Sequence, residues 1–209
     1  MKKAIAVIGE GITEKYYIES LKGLSPFDIR PQELGKKASS LKQLEKNIQN
    51  SIKAGYDEVY CLIDMDGKRE SANKGNYESL KKKYHGLTHG NKRQGVQCKV
   101  IFIETDRCTE LWFLYHFTQS ATTKEFRSYH DLEKELCKYR PRYEKTEKYF
   151  KSVVDLHKEF TKKCDPQGSL ANAIKNSKDS IKSRQRDNRN YSYSEIHILF
   201  DALKIESIE

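Results

Sequence analysis

The feature that most constrains this chain is its opening run, Ala4-Ile5-Ala6-Val7-Ile8, stopped by Gly9-Glu10-Gly11. A continuous apolar run of strand length, closed by a glycine turn, reads as a strand buried on both faces, as parallel sheets under helices require. The pattern recurs at residues 58–63 and 98–103, with a short second strand expected at 27–31. Between these runs the periodicity is helical. Thr13 is expected to cap a helix with Tyr17, Leu21 and Leu24 on one face. Residues 39–54 place Leu41, Leu44, Ile48 and Ile52 at helical spacing, and a basic helix surrounds residues 77–84 before a glycine-rich loop at 86–95. Regular β-α alternation predicts an α/β fold, a parallel sheet flanked by helices.

After Ile103 the pattern changes. Residues 109–117 form an aromatic-rich helical stretch, and three later sets keep a helical period: Leu132/Leu136/Tyr139, Phe150/Val153/Val154/His157 and Leu170/Ile174/Ile181. A last helix is expected over 193–203. The predicted organisation is an α/β catalytic core over residues 1–118 and a C-terminal helical extension over 119–209 packing on it. A chain of 209 residues is long enough for both.

The extension is basic: residues 175–189 hold six Lys or Arg against two Asp, within a net charge of +9. Such a balance attracts polyanions, nucleic acid first among them. Tyrosines interleaved with cations, as in Lys138-Tyr139-Arg140-Pro141-Arg142-Tyr143, suit backbone contact plus base stacking, although a solvated helix face reads alike. Five cysteines without a CxxC pair indicate neither a disulfide framework nor a zinc knuckle, and fit a reducing cytoplasm. The opening apolar run is too short for a signal peptide, and no run approaches the ~18 apolar residues that span a bilayer. A cytoplasmic protein without membrane contact is expected.

Ligands of parallel sheets bind at the carboxyl ends of strands. Glu10 follows the first strand, and Asp64-Met65-Asp66-Gly67 closes the run at 58–63. Residues two apart on a strand point the same way, with Cα atoms about 6.5 Å apart. Two carboxylates so placed bracket a hard cation, and Mg²⁺ needs only one or two of them. Either motif alone is equally a plain turn; together at strand ends they favour a metal site on Glu10, Asp64 and Asp66. Glu110 opens the aromatic helix, where a carboxylate completes a metal shell or stabilises a helix N-terminus. Lys68, Arg69 and Arg107 flank the acidic loops and are candidates for nucleic-acid phosphate, or plain solvated charges. His116 and His197 read more readily as hydrogen-bonded structural histidines than as acid/base groups. Glycines around His85-x-x-x-His89 argue against a zinc helix, and the absence of GxxxxGK[ST] argues against intrinsic ATPase activity.

The segments VIGEGITEKYYIESL, VYCLIDMDG, CTELWFLYHF and YSEIHILFDAL, in this order and spacing, resemble the RloB-like family over residues 5–203. That family is similar to Toprim domains, the metal-dependent fold of topoisomerases, primases and OLD-type nucleases. The resemblance implies a Toprim-like sheet, with Glu10 as general acid/base and Asp64 and Asp66 as Mg²⁺ ligands, Mn²⁺ substituting. Glu110 joins them in the expected catalytic set. It further implies a phosphodiesterase, an endonuclease acting on RNA (tRNA included) or DNA in antiphage or restriction-linked defence, with an ATPase or sensor protein as partner. The alternative is a non-catalytic nucleic-acid-binding or regulatory subunit of a defence complex. This sequence departs from the family pattern in the turn Thr105-Asp106-Arg107-Cys108-Thr109, where Thr109 replaces an aromatic residue.

Overall fold

The computed structural model describes residues 2–34, 41–68, 71–90, 95, 97–161 and 166–205. Arg69, Cys164 and the expected helix start at 39–40 lie outside the described residues. The chain divides into two compact units, Met1–Ile63 with Gly67–Ile103, and Asp64–Asp66 with Glu104–Glu209.

The first unit is built on strands. β1 (Ala4–Gly9) is enclosed on both faces, as its apolar run requires. It pairs in parallel with β2 (Asp28–Glu33) and β3 (Glu58–Asp64), so that Ile8 stands opposite Gln32 and Cys61. The two-residue β4 (Thr88–His89) pairs antiparallel with β5 (Cys98–Thr105), completing the order β2-β1-β3-β5-β4. β4 lies where a loop was expected. Gly86, at φ +75°, lets the chain reverse, and Gly86 N–H then donates to Val100 O while Val100 N–H donates to Leu87 O. Two residues are too few to show a strand period.

α1 (Ile12–Leu21) packs on β1 and β2, and α2 (Leu41–Lys53) packs on β1 and on α3 (Ser71–Tyr84). Tyr17, Ile18, Leu21, Leu44 and Ile48 are buried, each stabilising the unit by about 1.5–3 kcal/mol at full burial. The N-cap of α1 is Gly11 rather than the expected Thr13, which lies buried in the first turn. Glu14 makes the cap, its Oε2 accepting from Gly11 N–H at 2.8 Å. A side chain at Gly9 would place its Cβ 2.3 Å from Glu14 Cβ, so this close turn demands glycine. Leu24 lies beyond the helix and is exposed.

The second unit is made of helices, α4 (Glu110–Tyr115), α5 (Tyr129–Cys137), α6 (Glu147–Val153), α7 (Leu156–Thr161), α8 (Leu170–Asp187) and α9 (His197–Leu203), all short except the 18-residue α8. Every residue of α4 is buried, and the helix packs against α5 and α8. Aromatic contacts fill this core: Phe113 stacks on Phe160 at 4.2 Å and Trp112 meets Phe200 at 5.0 Å. Trp112 and Leu114 are thus core residues, and Phe117 stacks on Tyr139.

Three helical expectations change here. The set Phe150/Val153/Val154/His157 is split, because Val154 takes φ +64° and ends α6, while Asp155 Oδ1 accepts from Lys158 N–H in α7. Residues 193–196 are not helical, because Ser194 bridges antiparallel to Thr105 before α9 begins. In α8 the buried face is Ala173, Asn176, Ser177 and Ser180 beside Leu170, whereas Ile174 and Ile181 are half-buried. Small residues let α8 approach α4 closely, which outweighs the apolar row. Among the described residues no helix is long and apolar enough to cross a membrane.

Candidate functional site

The acidic turn belongs to the second unit. β3 ends at Asp64, after which Met65 N–H donates to Thr105 O at 2.9 Å and Asp66 N–H to Arg107 O at 3.2 Å. Gly67, at φ +66°, then turns the chain. Asp66 therefore stands exposed on the turn, not on the strand face expected from a two-residue period. Asp64 is half-buried, and its Oδ1 accepts from both Thr109 N–H (3.0 Å) and Thr109 Oγ1 (3.3 Å). Two donors from one residue fix where this carboxylate points. An aromatic residue at 109 would supply only the backbone half of that hold. Thr109 was not among the expected site residues; its buried hydroxyl gives no pattern in sequence.

Glu110, next in the chain, is fully buried. Tyr143 Oη donates to its Oε1 at 2.8 Å, and Lys145 Nζ lies 3.1 Å from Oε1 and 3.2 Å from Oε2. Burial first, and the Glu110 charge next, push the Tyr143 phenol and the Cys108 thiol far above their usual ranges; Tyr129 is raised by the same two causes. These groups stay protonated, so Lys145 supplies the compensating charge. Tyr143 and Lys145 lie far downstream of Glu110, and no spacing rule announces them.

In the first unit Glu10 forms an ion pair with Lys68, whose Nζ lies 2.7 Å from Oε1 and 2.8 Å from Oε2. Both side chains are about seven-eighths buried, at 13% and 12% exposure. Lys68 is thus a partner of Glu10. Arg107 donates through Nε to Phe126 O at 2.9 Å, and Arg69 lies outside the described residues.

The histidines are tied into structure. His116 is fully buried with Nδ1 2.9 Å from Trp112 O, and burial depresses its pKa to about 3. His197 Nδ1 lies 2.8 Å from Ser177 Oγ, and burial lowers its pKa. His85 Nδ1 accepts from Phe102 N–H at 3.0 Å, a strand contact rather than a zinc position.

Among the described residues, no three His, Cys, Asp or Glu side chains converge as a ready metal shell. Asp64 and Asp66 nevertheless offer hard oxygen donors on one turn, one fixed and one solvent-facing, which suits an ion that keeps several waters and needs one or two carboxylates. The buried thiols of Cys61 and Cys108, pushed up mainly by burial, do not suit a softer metal.

A family model described as RloB-like protein matches residues 5–203. No curated protein and no solved structure matches the chain.

Proposed function

Because the chain belongs to the family of RloB-like proteins, we propose that it is a Mg²⁺-dependent endonuclease that hydrolyses phosphodiester bonds of RNA, tRNA included, or DNA in defence against phage. The observation that carries this reading is the Asp64 carboxylate, fixed at the end of β3 by the N–H and hydroxyl of Thr109, two residues before an exposed Asp66. Asp64 and Asp66 would hold Mg²⁺ or Mn²⁺. The chemistry such an ion would supply there is neutralisation of charge on a phosphate oxygen and acidification of a bound water. Glu10 takes the acid/base role that the family resemblance implies for it, with Lys68 compensating its charge. Glu110 is a positioning residue in this reading: held by Tyr143 and Lys145, it anchors the start of α4 and so the Thr109 donors. The net charge of +9 supplies attraction to a polyanion. An ATPase or sensor protein is the proposed partner that restrains the activity.

One observation favours a second reading, a nucleic-acid-binding subunit without catalysis: among the described residues no three-ligand shell is preformed. The test separates the two. Purified protein is incubated with labelled tRNA, single-stranded DNA and duplex DNA in Mg²⁺, Mn²⁺ or EDTA, beside Asp64→Ala and Thr109→Val. We expect metal-dependent cleavage that Asp64→Ala abolishes and Thr109→Val reduces. Binding shared by all three proteins, with no cleavage in any metal, overturns the nuclease in favour of the binding subunit.

A further inference from the structure

α8 ends on Asn188 in the left-handed conformation, φ +47° and ψ +44°, which asparagine tolerates better than most residues. The chain there turns back on the last helical turn and encloses a cavity of about 370 Å³ lined by Arg184, Gln185, Asn188, Arg189, Asn190 and Tyr193, among others. A second cavity of about 400 Å³ shares Asn188, Arg189 and Asn190 and adds Tyr191 and Glu125. Each is large enough for a nucleobase with its sugar, within the ~300–1,000 Å³ of small-ligand pockets.

The charges around these cavities are unequal. Of the cations along this helix, Lys178 pairs with Asp201, Lys182 with Asp179 and Arg186 with Asp187. Among the described residues Lys175, Arg184 and Arg189 make no ion pair within 4 Å, although the Arg189 charge acts on Asp187; of the three, Arg184 and Arg189 line the first cavity. The Arg184 guanidinium lies 4.6 Å from the centre of the Tyr193 ring, which holds its plane without consuming its charge. Glu195, the acid of this cavity, accepts from Glu104 N–H at 2.8 Å.

The cavity wall is also joined to the acidic turn within the same unit. Tyr193 Oη donates to Glu104 Oε2 at 2.7 Å, and Tyr193 O accepts from Asp106 N–H at 2.8 Å. Thr105 bridges to Ser194, and Thr105 O accepts from Met65 N–H, between Asp64 and Asp66. The cavity wall and the Asp64–Asp66 turn are thus tied to the same stretch of chain, residues 104–106.

We propose that these joined cavities bind a single-stranded stretch of nucleic acid beside the bond to be cut, a proposal that rests on the nuclease reading. Arg184 and Arg189 take successive phosphates. The amides of Gln185, Asn188 and Asn190, with Glu125 as acceptor, meet Watson–Crick edges, which a duplex keeps paired. The substrate class is therefore an unpaired segment, a loop or an end.

The test is fluorescence anisotropy in EDTA, where cleavage is silent, with full-length protein carrying Asp64→Ala. The probe is a short fluorescein-labelled oligonucleotide, as RNA, as DNA, and annealed to its complement. Arg184→Gln with Arg189→Gln should weaken single-strand binding about tenfold or more, and flatten the salt dependence by about 1.4 in log–log slope for two lost contacts. Asn190→Asp, which adds a negative charge to the shared wall, should weaken it as well without touching either arginine. Unchanged affinity and slope in both variants overturn the proposal, as does duplex binding that is as tight and equally sensitive. Arginine-dependent binding with no cleavage by the wild type sinks the nuclease reading and leaves this site standing. Cleavage by the wild type with arginine-independent binding does the reverse.

Discussion

The two units turn their chains by different means. In the first, the described residues with positive φ are Gly55, Gly67, Gly86, Gly90 and Gly95, and the core is aliphatic strand. In the second they are Val154, Asn188 and Lys204, and the core admits Glu104, Glu110, His116, Asn176, Ser177, Ser180 and Ser194. The contrast follows from backbone accounting. A sheet satisfies its N–H and C=O groups along the ladder, so its side chains are free to be apolar. Helices as short as the six residues of α4 have mostly unpaired ends, and side chains must meet them. Asn176 does so, its amide donating to Tyr115 O and Thr118 O at the end of α4. The first unit buries few polar side chains, Thr13, Glu14 and Ser51 among the described residues, and a unit of mostly short helices buries more.

The strongest challenge to that contrast is to break the carboxylate–lysine pair of each unit. Lys145→Ala leaves Glu110 as an uncompensated charge with no solvent contact, which costs about 3–5 kcal/mol. Lys68→Ala leaves Glu10, whose 13% exposure admits some water, and should cost less. Urea unfolding of the two variants checks the order. Equal losses would mean that polar burial is no more critical in the helical unit than at the sheet edge.

A smaller effect is read by pH. His116 titrates at about 3 in the folded chain and His157 at about 4, against 6.5 unexposed to the fold, burial being the main cause for each. Both folded values are depressed, so the unfolded chain binds more protons below 6.5. Their contribution is complete above that pH and is lost as pH falls toward 4 and then 3. One such histidine gives a slope of at most about 1.4 kcal/mol per pH unit. Thermal melts between pH 7 and pH 5 should show falling stability, and His116→Gln should flatten the fall. An unchanged slope in His116→Gln would show that the imidazole is not the group that opposes protonation.

The same contrast explains what was legible in sequence. Ala4–Gly9 and Glu58–Asp64 announce themselves because a strand buried on both faces must be a continuous apolar run, and Cys98–Thr105, despite the exposed Lys99, by its run from Val100 to Ile103. The strand end at Asp64 was legible for the same reason, since the end of such a run is visible, whereas the departure of Asp66 from the strand face was not. Thr109, Tyr143 and Lys145 were not, because each acts through one contact made across the tertiary fold. The face of α8 was misread because Asn176, Ser177 and Ser180 are buried for their hydrogen bonds, which hydrophobic periodicity does not register. The break at Val154 carried no signal at all, as the residue there is neither Gly nor Asn.

That break gives the mildest test of the comparison. Val154 holds φ +64° with its side chain 86% exposed, so it has backbone strain and little packing to offset it. With ψ −51° and Asp155 N–H donating to Val153 O, Val154 sits in a strained γ-turn rather than the left-handed helical region, at a cost of about 1–2 kcal/mol. Val154→Gly removes it but gives the unfolded chain more freedom, which returns about half to one kcal/mol. The net expectation is a gain of about 0.5 kcal/mol, a rise of 1–2 °C in a thermal melt for a chain of this size. The converse change in the first unit, Gly55→Ala at φ +80°, should lower the melt, because that turn already has the residue its backbone requires. If Val154→Gly also lowers the melt, the second unit holds its turn through a contact of the valine itself, and its reversals are then side-chain-determined like its core.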